Sequence, residues 1–157
     1  MDKHSQRAME LFKQGYSCSQ SIVGAFCDDI EIDFETAVKL SSSFGGGMGK
    51  LREVCGAVSG MFMVVGLKYG YTDPNDTAAK TEHYKLIQSL AKQFSEHNGS
   101  IICRELLGLD TESDNYIPEE RTKEYYLKRP CIELVGDAAE IVDKFINKKL
   151  KLEEKRL

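Results

Sequence analysis

The sequence predicts an all-α fold: a single domain built as a bundle of about seven or eight helices. Three observations carry this prediction. Apolar residues recur at i, i+3 and i+4 along most of the chain. Ser, Asp or Pro stands ahead of these runs and glycine behind them, which is the chemistry of helix starts and stops. No stretch of useful length alternates apolar and polar residues as a half-buried strand would. At 157 residues the chain fits one domain with a real core. It shows neither an internal repeat nor a linker long enough to divide it.

The first helix covers His4–Gln14, with Ala8, Met9, Leu11 and Phe12 facing inward and Gly15 as its stop. Ser17 caps the second, which buries Ile22, Val23, Ala25 and Phe26 and carries Cys18 in its first turn. Cys27 falls at the far end of that helix beside Asp28 and Asp29, whose charges raise a thiol pKa, and it reads as structural. Asp33 caps a third helix to about Phe44, with Phe34, Ala37, Val38 and Leu40 inward and Ser41 to Ser43 loosening its end.

A shaped loop follows, Phe44-Gly-Gly-Gly-Met-Gly49, in which glycines supply positive φ and close backbone approach. The next helix is apolar from Val54 to Leu67. Gly56 and Gly60 share one of its faces, where the missing side chains admit another helix. Asp76 or Thr77 caps a long fifth helix reaching about His97, with Tyr84, Ile87, Leu90, Ala91 and Phe94 as its core stripe.

Asn98-Gly99 ends that helix, and Ser100 caps a short one, Ile101–Leu107, stopped by Gly108, with Cys103 in its first turn. Asp110 to Pro118 reads as a polar loop, and Pro118-Glu119-Glu120 begins a further short helix. Arg129-Pro130-Cys131 opens the last helix, which carries Leu134, Val135, Ala138, Ile141, Val142, Phe145 and Ile146 on one side. From Asn147 to Leu157 the Lys/Glu/Leu-rich tail reads as a frayed helical extension, solvated or docked on a second subunit of a homo-oligomer.

Hydrophobic content of 41% and charged content of 29% are ordinary for a soluble domain. A formal net charge of −4 argues against sequence-independent nucleic-acid binding. The N-terminal residues lack the apolar core of a signal peptide, so a cytoplasmic location is expected. Val54–Leu67 is shorter than the roughly 20 residues of a membrane span.

Five cysteines, Cys18, Cys27, Cys55, Cys103 and Cys131, are many for a cytosolic chain, where permanent disulfides are rare. Four of them are expected at helix starts, where unpaired N–H groups and the dipole favour an anion such as a thiolate. The leading reading is thiol–disulfide redox chemistry, which requires no cofactor. Cys55 is the choice for the reactive thiolate, since Lys50 and Arg52 lie just upstream. Cys18, Cys103 and Cys131 are its resolving or paired partners, in any of three connectivities. This requires the helix starts to converge in one electropositive pocket; the redox partner stays unspecified.

The alternative is a metal site in which Cys18, Cys55, Cys103 and Cys131 ligate zinc or an iron–sulfur cluster. No Cys-x-x-Cys is present, and His83 and His97 have no second ligand at helical spacing. Both histidines are expected at the surface, with His83 a base only if it approaches Cys55. A third reading is a non-catalytic accessory docking through Met61-Phe62-Met63 or the basic tail. A nucleotide loop at Gly49-Lys50 fails, because Leu51 stands where Ser or Thr is needed and no strand precedes.

Cys55-Gly56-Ala57-Val58-Ser59-Gly60 is a Cys-Gly-Ala-x-x-Gly motif, and Cys18, Cys103 and Cys131 are dispersed around it. In this the chain resembles the redox-active C_GCAxxG_C_C family. Gly15-Tyr16-Ser17-Cys18-Ser19-Gln20, Cys103-Arg104-Glu105-Leu106-Leu107-Gly108, the glycine loop and Gly66-Leu67-Lys68-Tyr69-Gly70 add to the resemblance, which runs from Gly15 to Val142 and leaves Cys27 outside. The resemblance implies a redox role for the four matching cysteines and a tendency of members to be encoded near transporter genes. It implies no substrate or electron partner.

Overall fold

The structure, a computed structural model, describes residues 2–109 and 115–157. Those residues form eight α-helices and no strand, a single all-α domain. In chain order the helices are α1 (Lys3–Lys13), α2 (Cys18–Ala25), α3 (Phe34–Ser41), α4 (Gly56–Tyr69), α5 (Thr77–Asn98), α6 (Cys103–Leu106), α7 (Lys123–Lys128) and α8 (Cys131–Glu154). Three of the expected caps are present. Ser17 accepts from the Gln20 N–H in a full capping box, Asp33 from Thr36, and Asp76 from Ala79. Ser100 does not cap α6, which starts at Cys103 with Ile102 as its N-cap and no side-chain cap; Ser100 Oγ instead accepts from the Ile102 N–H.

α4 is apolar on every side because it is the central element, packed against α2, α5 and α8. Val58, Met61, Val64 and Val65 are fully buried there, beside Ile22 and Phe26 of the α2 region, Phe94 of α5, and Val135 and Val142 of α8. A Cβ on Gly60 would stand 2.8 Å from Ile22 Cβ, so this glycine sets how closely α2 and α4 approach. α1 lies across α2 and α8, burying Ala8, Leu11 and Phe12.

Several expectations are corrected. The third helix ends at Ser41, and a single 3₁₀ turn, Ser42–Phe44, completes its expected length. Leu40 is 51% exposed and Tyr84 52% exposed, because α3 turns Ala37 and Phe34 to the core and the first half of α5 projects beyond it. Pro118-Glu119-Glu120 does not start a helix. Thr122 caps α7 instead, since Glu119 and Arg121 are drawn to partners described below. Met61 is wholly buried and Phe62 and Met63 pack on the core, so this stretch is interior and not a docking face. The tail stays helical to Glu154. Residues 110–114 of the expected polar loop lie outside the described residues. No helix among those described is long and apolar enough to cross a membrane.

The N-terminal turn of α1 is held by His4, whose ring stacks on Phe26 at 4.2 Å and lies 2.7 Å from both Asp143 and Asp29. Burial and the neighbouring Asp2 carboxyl push the Asp143 pKa up to about 7, against the pull of His4. An unfolded chain releases this proton near 3.8. The folded state therefore binds more protons between about pH 4 and 7, and stability falls as pH rises through that window. The expected result is that Asp143→Asn flattens this slope in urea-unfolding midpoints measured from pH 4.5 to 7.5. An unchanged slope would place the titration elsewhere.

Candidate functional site

The starts of α2, α4, α6 and α8 meet around a cavity of about 350 Å³, and Cys18, Cys55, Cys103 and Cys131 all line it. Cys18, Cys103 and Cys131 are the first residues of their helices, and Cys55 is the N-cap of α4. All five cysteines are free thiols. Cys27 lies apart, buried just past α2 and donating to Asp28 Oδ1 at 3.8 Å; burial first, then Asp28, pushes its pKa up.

Three local devices bring these sequence-distant residues together. Residues 52–55 run antiparallel to 101–104: Cys103 N–H donates to the Glu53 carbonyl at 2.6 Å, Cys55 N–H to the Ile101 carbonyl at 2.8 Å, and Val54 bridges Ile102. This sets Cys55 and Cys103 diagonally across one short ladder. Gly56 then lets α4 lie against the start of α2, since a Cβ there would be 3.0 Å from Ser19 N and 3.2 Å from Cys18 Cβ. Finally, the start of α8 brings Cys131 into the same cavity as Cys18.

The glycine loop is a left-handed turn. Gly46, Gly47, Met48, Gly49, Lys50 and Arg52 all have φ between 59° and 71°. Left-handed backbone costs a non-glycine residue about 1–2 kcal/mol, and the interleaved glycines keep that total down. Gly45 is the exception to the expectation. Its φ is −65°, and its role is contact, because a Cβ would meet Ser17 Cβ at 2.6 Å. The turn carries Arg52 inward until it is 6% exposed, with Nη1 3.7 Å from Cys103 Sγ.

A segment the sequence reading treated as a helix start closes the opposite side. Lys50 Nζ donates to Asn115 Oδ1 at 3.1 Å and to the Ile117 carbonyl. Glu119 pairs with Arg129 and lies 3.9 Å from Arg52. Arg121 donates to the Phe12 and Tyr16 carbonyls at 3.1 and 3.2 Å, and its guanidinium lies 4.3 Å over the Phe12 ring. Arg129 was visible beside Pro130-Cys131. Nothing in the sequence marked Arg121 or Glu119 as site residues, because they reach the cavity only through tertiary contacts.

The four thiols differ in protonation. Burial pushes Cys55 up to about 12, outweighing the Ala57 and Val58 N–H groups. Placement at a helix start does not offset the loss of water there, so the surroundings of Cys55 work against the thiolate expected of it. Burial likewise raises Cys103 against the pull of Arg52. Cys18 is raised, first because it donates to Cys131 and then by burial. Cys131 alone is lowered, by the Cys18 hydrogen bond and then, against burial, by Arg129, Arg121 and Arg52. A thiol whose surroundings favour the anion and one whose surroundings oppose it, in one cavity, suit the roles of nucleophile and proton-holding partner.

His83 meets Tyr71 and His97 lies 3.5 Å from Asp137, so neither joins the cavity. Among the described residues no three His, Cys, Asp or Glu side chains are arranged to hold a metal ion.

A family model described as "Putative redox-active protein (C_GCAxxG_C_C)" matches residues 16–145. No curated protein and no solved structure matches the chain.

Proposed function

The chain belongs to the C_GCAxxG_C_C family, and from that premise we propose that it is a thiol–disulfide exchange protein in which Cys131 and Cys18 are the exchanging couple. The Cys131 thiolate attacks one sulfur of a substrate disulfide. A mixed disulfide forms, and the other half leaves as a thiolate. Cys18 loses its proton and attacks the Cys131 sulfur, which closes the Cys18–Cys131 disulfide and expels the second half. The substrate disulfide gains two electrons and the couple loses them. Cys55 and Cys103 supply a second dithiol beside the first, able to take over the disulfide by further exchange.

The observation that carries this reading is that Cys18 and Cys131 line one cavity at the starts of two helices, with their pKa values driven apart. The test is stoichiometric oxidation by a small disulfide, with free thiols alkylated before reduction, re-alkylated with an isotopically heavy reagent after it, and mapped by mass spectrometry. A Cys18–Cys131 crosslink forming first, with Cys27 still free, is expected. First oxidation at Cys27, or no oxidation within the folded protein, sinks the assignment.

A further inference from the structure

Lys50, Arg52, Arg121 and Arg129 line the thiol cavity, and Glu119 is the one carboxylate described among its walls. Glu119 sits on an irregular segment and is 38% exposed by its side chain, while Arg129 is only 18% exposed. Its carboxylate therefore spans from solvent to a largely buried guanidinium, within 3.9 Å of a second one, Arg52. Resting on the exchange reading of this site, we propose that its substrate is a small anionic disulfide, bearing carboxylates, whose acid group displaces Glu119 from Arg129.

Three features select that class. Exchanging one carboxylate for another on Arg129 leaves no buried guanidinium unpaired, whereas a neutral or cationic ligand pushing Glu119 aside would. Phe12, Leu106 and Leu134 offer apolar wall for a short carbon chain. A cavity of about 350 Å³ lies at the small end of ligand pockets, the size for a compact disulfide. Displacement also leaves in place the arginines that favour the Cys131 anion.

The test uses the full chain and three disulfides of similar length: dithiodipropionate (anionic), bis(2-hydroxyethyl) disulfide (neutral) and cystamine (cationic). Each rate of Cys18–Cys131 oxidation is divided by that disulfide's rate with free mercaptoethanol. The expected normalised preference for the anion over the neutral compound is roughly tenfold or more at low salt, shrinking as salt rises. Glu119→Gln enlarges the preference, Arg129→Gln brings it near unity, and Arg129→Lys keeps part of it. Because the ratio divides out the thiolate fraction, a change in Cys131 acidity alone does not move it. Equal normalised rates, or a preference for cystamine, overturn the anion site and leave the exchange reading standing. Failure of all three to oxidise a folded protein removes both.

Discussion

Serine at position 131 is expected to lower the rate of disulfide reduction by about a thousandfold or more, the scale seen when a covalent nucleophile is removed. The loss is this large because Cys131 is the one cavity thiol whose surroundings favour the anion. The surroundings of Cys55, Cys103 and Cys18 all work against the anion. Cys18→Ser has a different signature. The first attack still occurs, but the mixed disulfide on Cys131 persists and is visible as added mass in intact-protein spectra. Cys27→Ser leaves turnover unchanged, as a thiol outside the cavity requires. If Cys131→Ser retains most of the activity while Cys55→Ser abolishes it, the nucleophile has been misassigned.

The largest stability effect is expected at Gly47. Its φ is +71°, and a Cβ would stand 2.6 Å from Cys103 Cβ and 2.9 Å from both Arg52 Cα and Glu53 N. Two of those neighbours are backbone fixed by the hydrogen bonds that join residues 52–55 to 101–104, so they cannot yield. Gly47→Ala therefore combines left-handed strain with overpacking, at about 2–4 kcal/mol. Gly99 gives the comparison: its φ is +93° with nothing within 4 Å, so alanine there costs only the strain, about 1 kcal/mol. Gly66 has open space and an ordinary backbone. Alanine there is expected to be neutral or to stabilise by up to about 1 kcal/mol. Urea midpoints order the three variants, and a Gly47→Ala no worse than Gly99→Ala would mean that the Cys103 wall relaxes.

Helix starts and stops were legible because caps are local. Ser17 with Gln20, Asp33 with Thr36 and Asp76 with Ala79 each act within three residues, and Gly99 needs only its own φ. That is also why the gathering of Cys18, Cys55, Cys103 and Cys131 could be anticipated: each belongs to a helix start. The ranking of those thiols was not legible. Lys50 and Arg52 are close to Cys55 in sequence, yet in space Arg52 reaches Cys103 and Lys50 turns to Asn115 and Ile117. The groups that do acidify Cys131 include Arg121, placed by carbonyls more than a hundred residues upstream, at Phe12 and Tyr16. Pro118-Glu119-Glu120 misled for the same reason: local propensity favoured a helix, and distant ion pairs claimed the segment.

Cys18 and Cys131 stand at the starts of the second helix and the last, on one cavity. Four of the five thiols precede Cys131 in the chain. The arginines that lower its pKa, Arg52, Arg121 and Arg129, come from separate parts of the chain, so the acidity of Cys131 is a property of the assembled bundle and arises only when α8 docks on the helices before it.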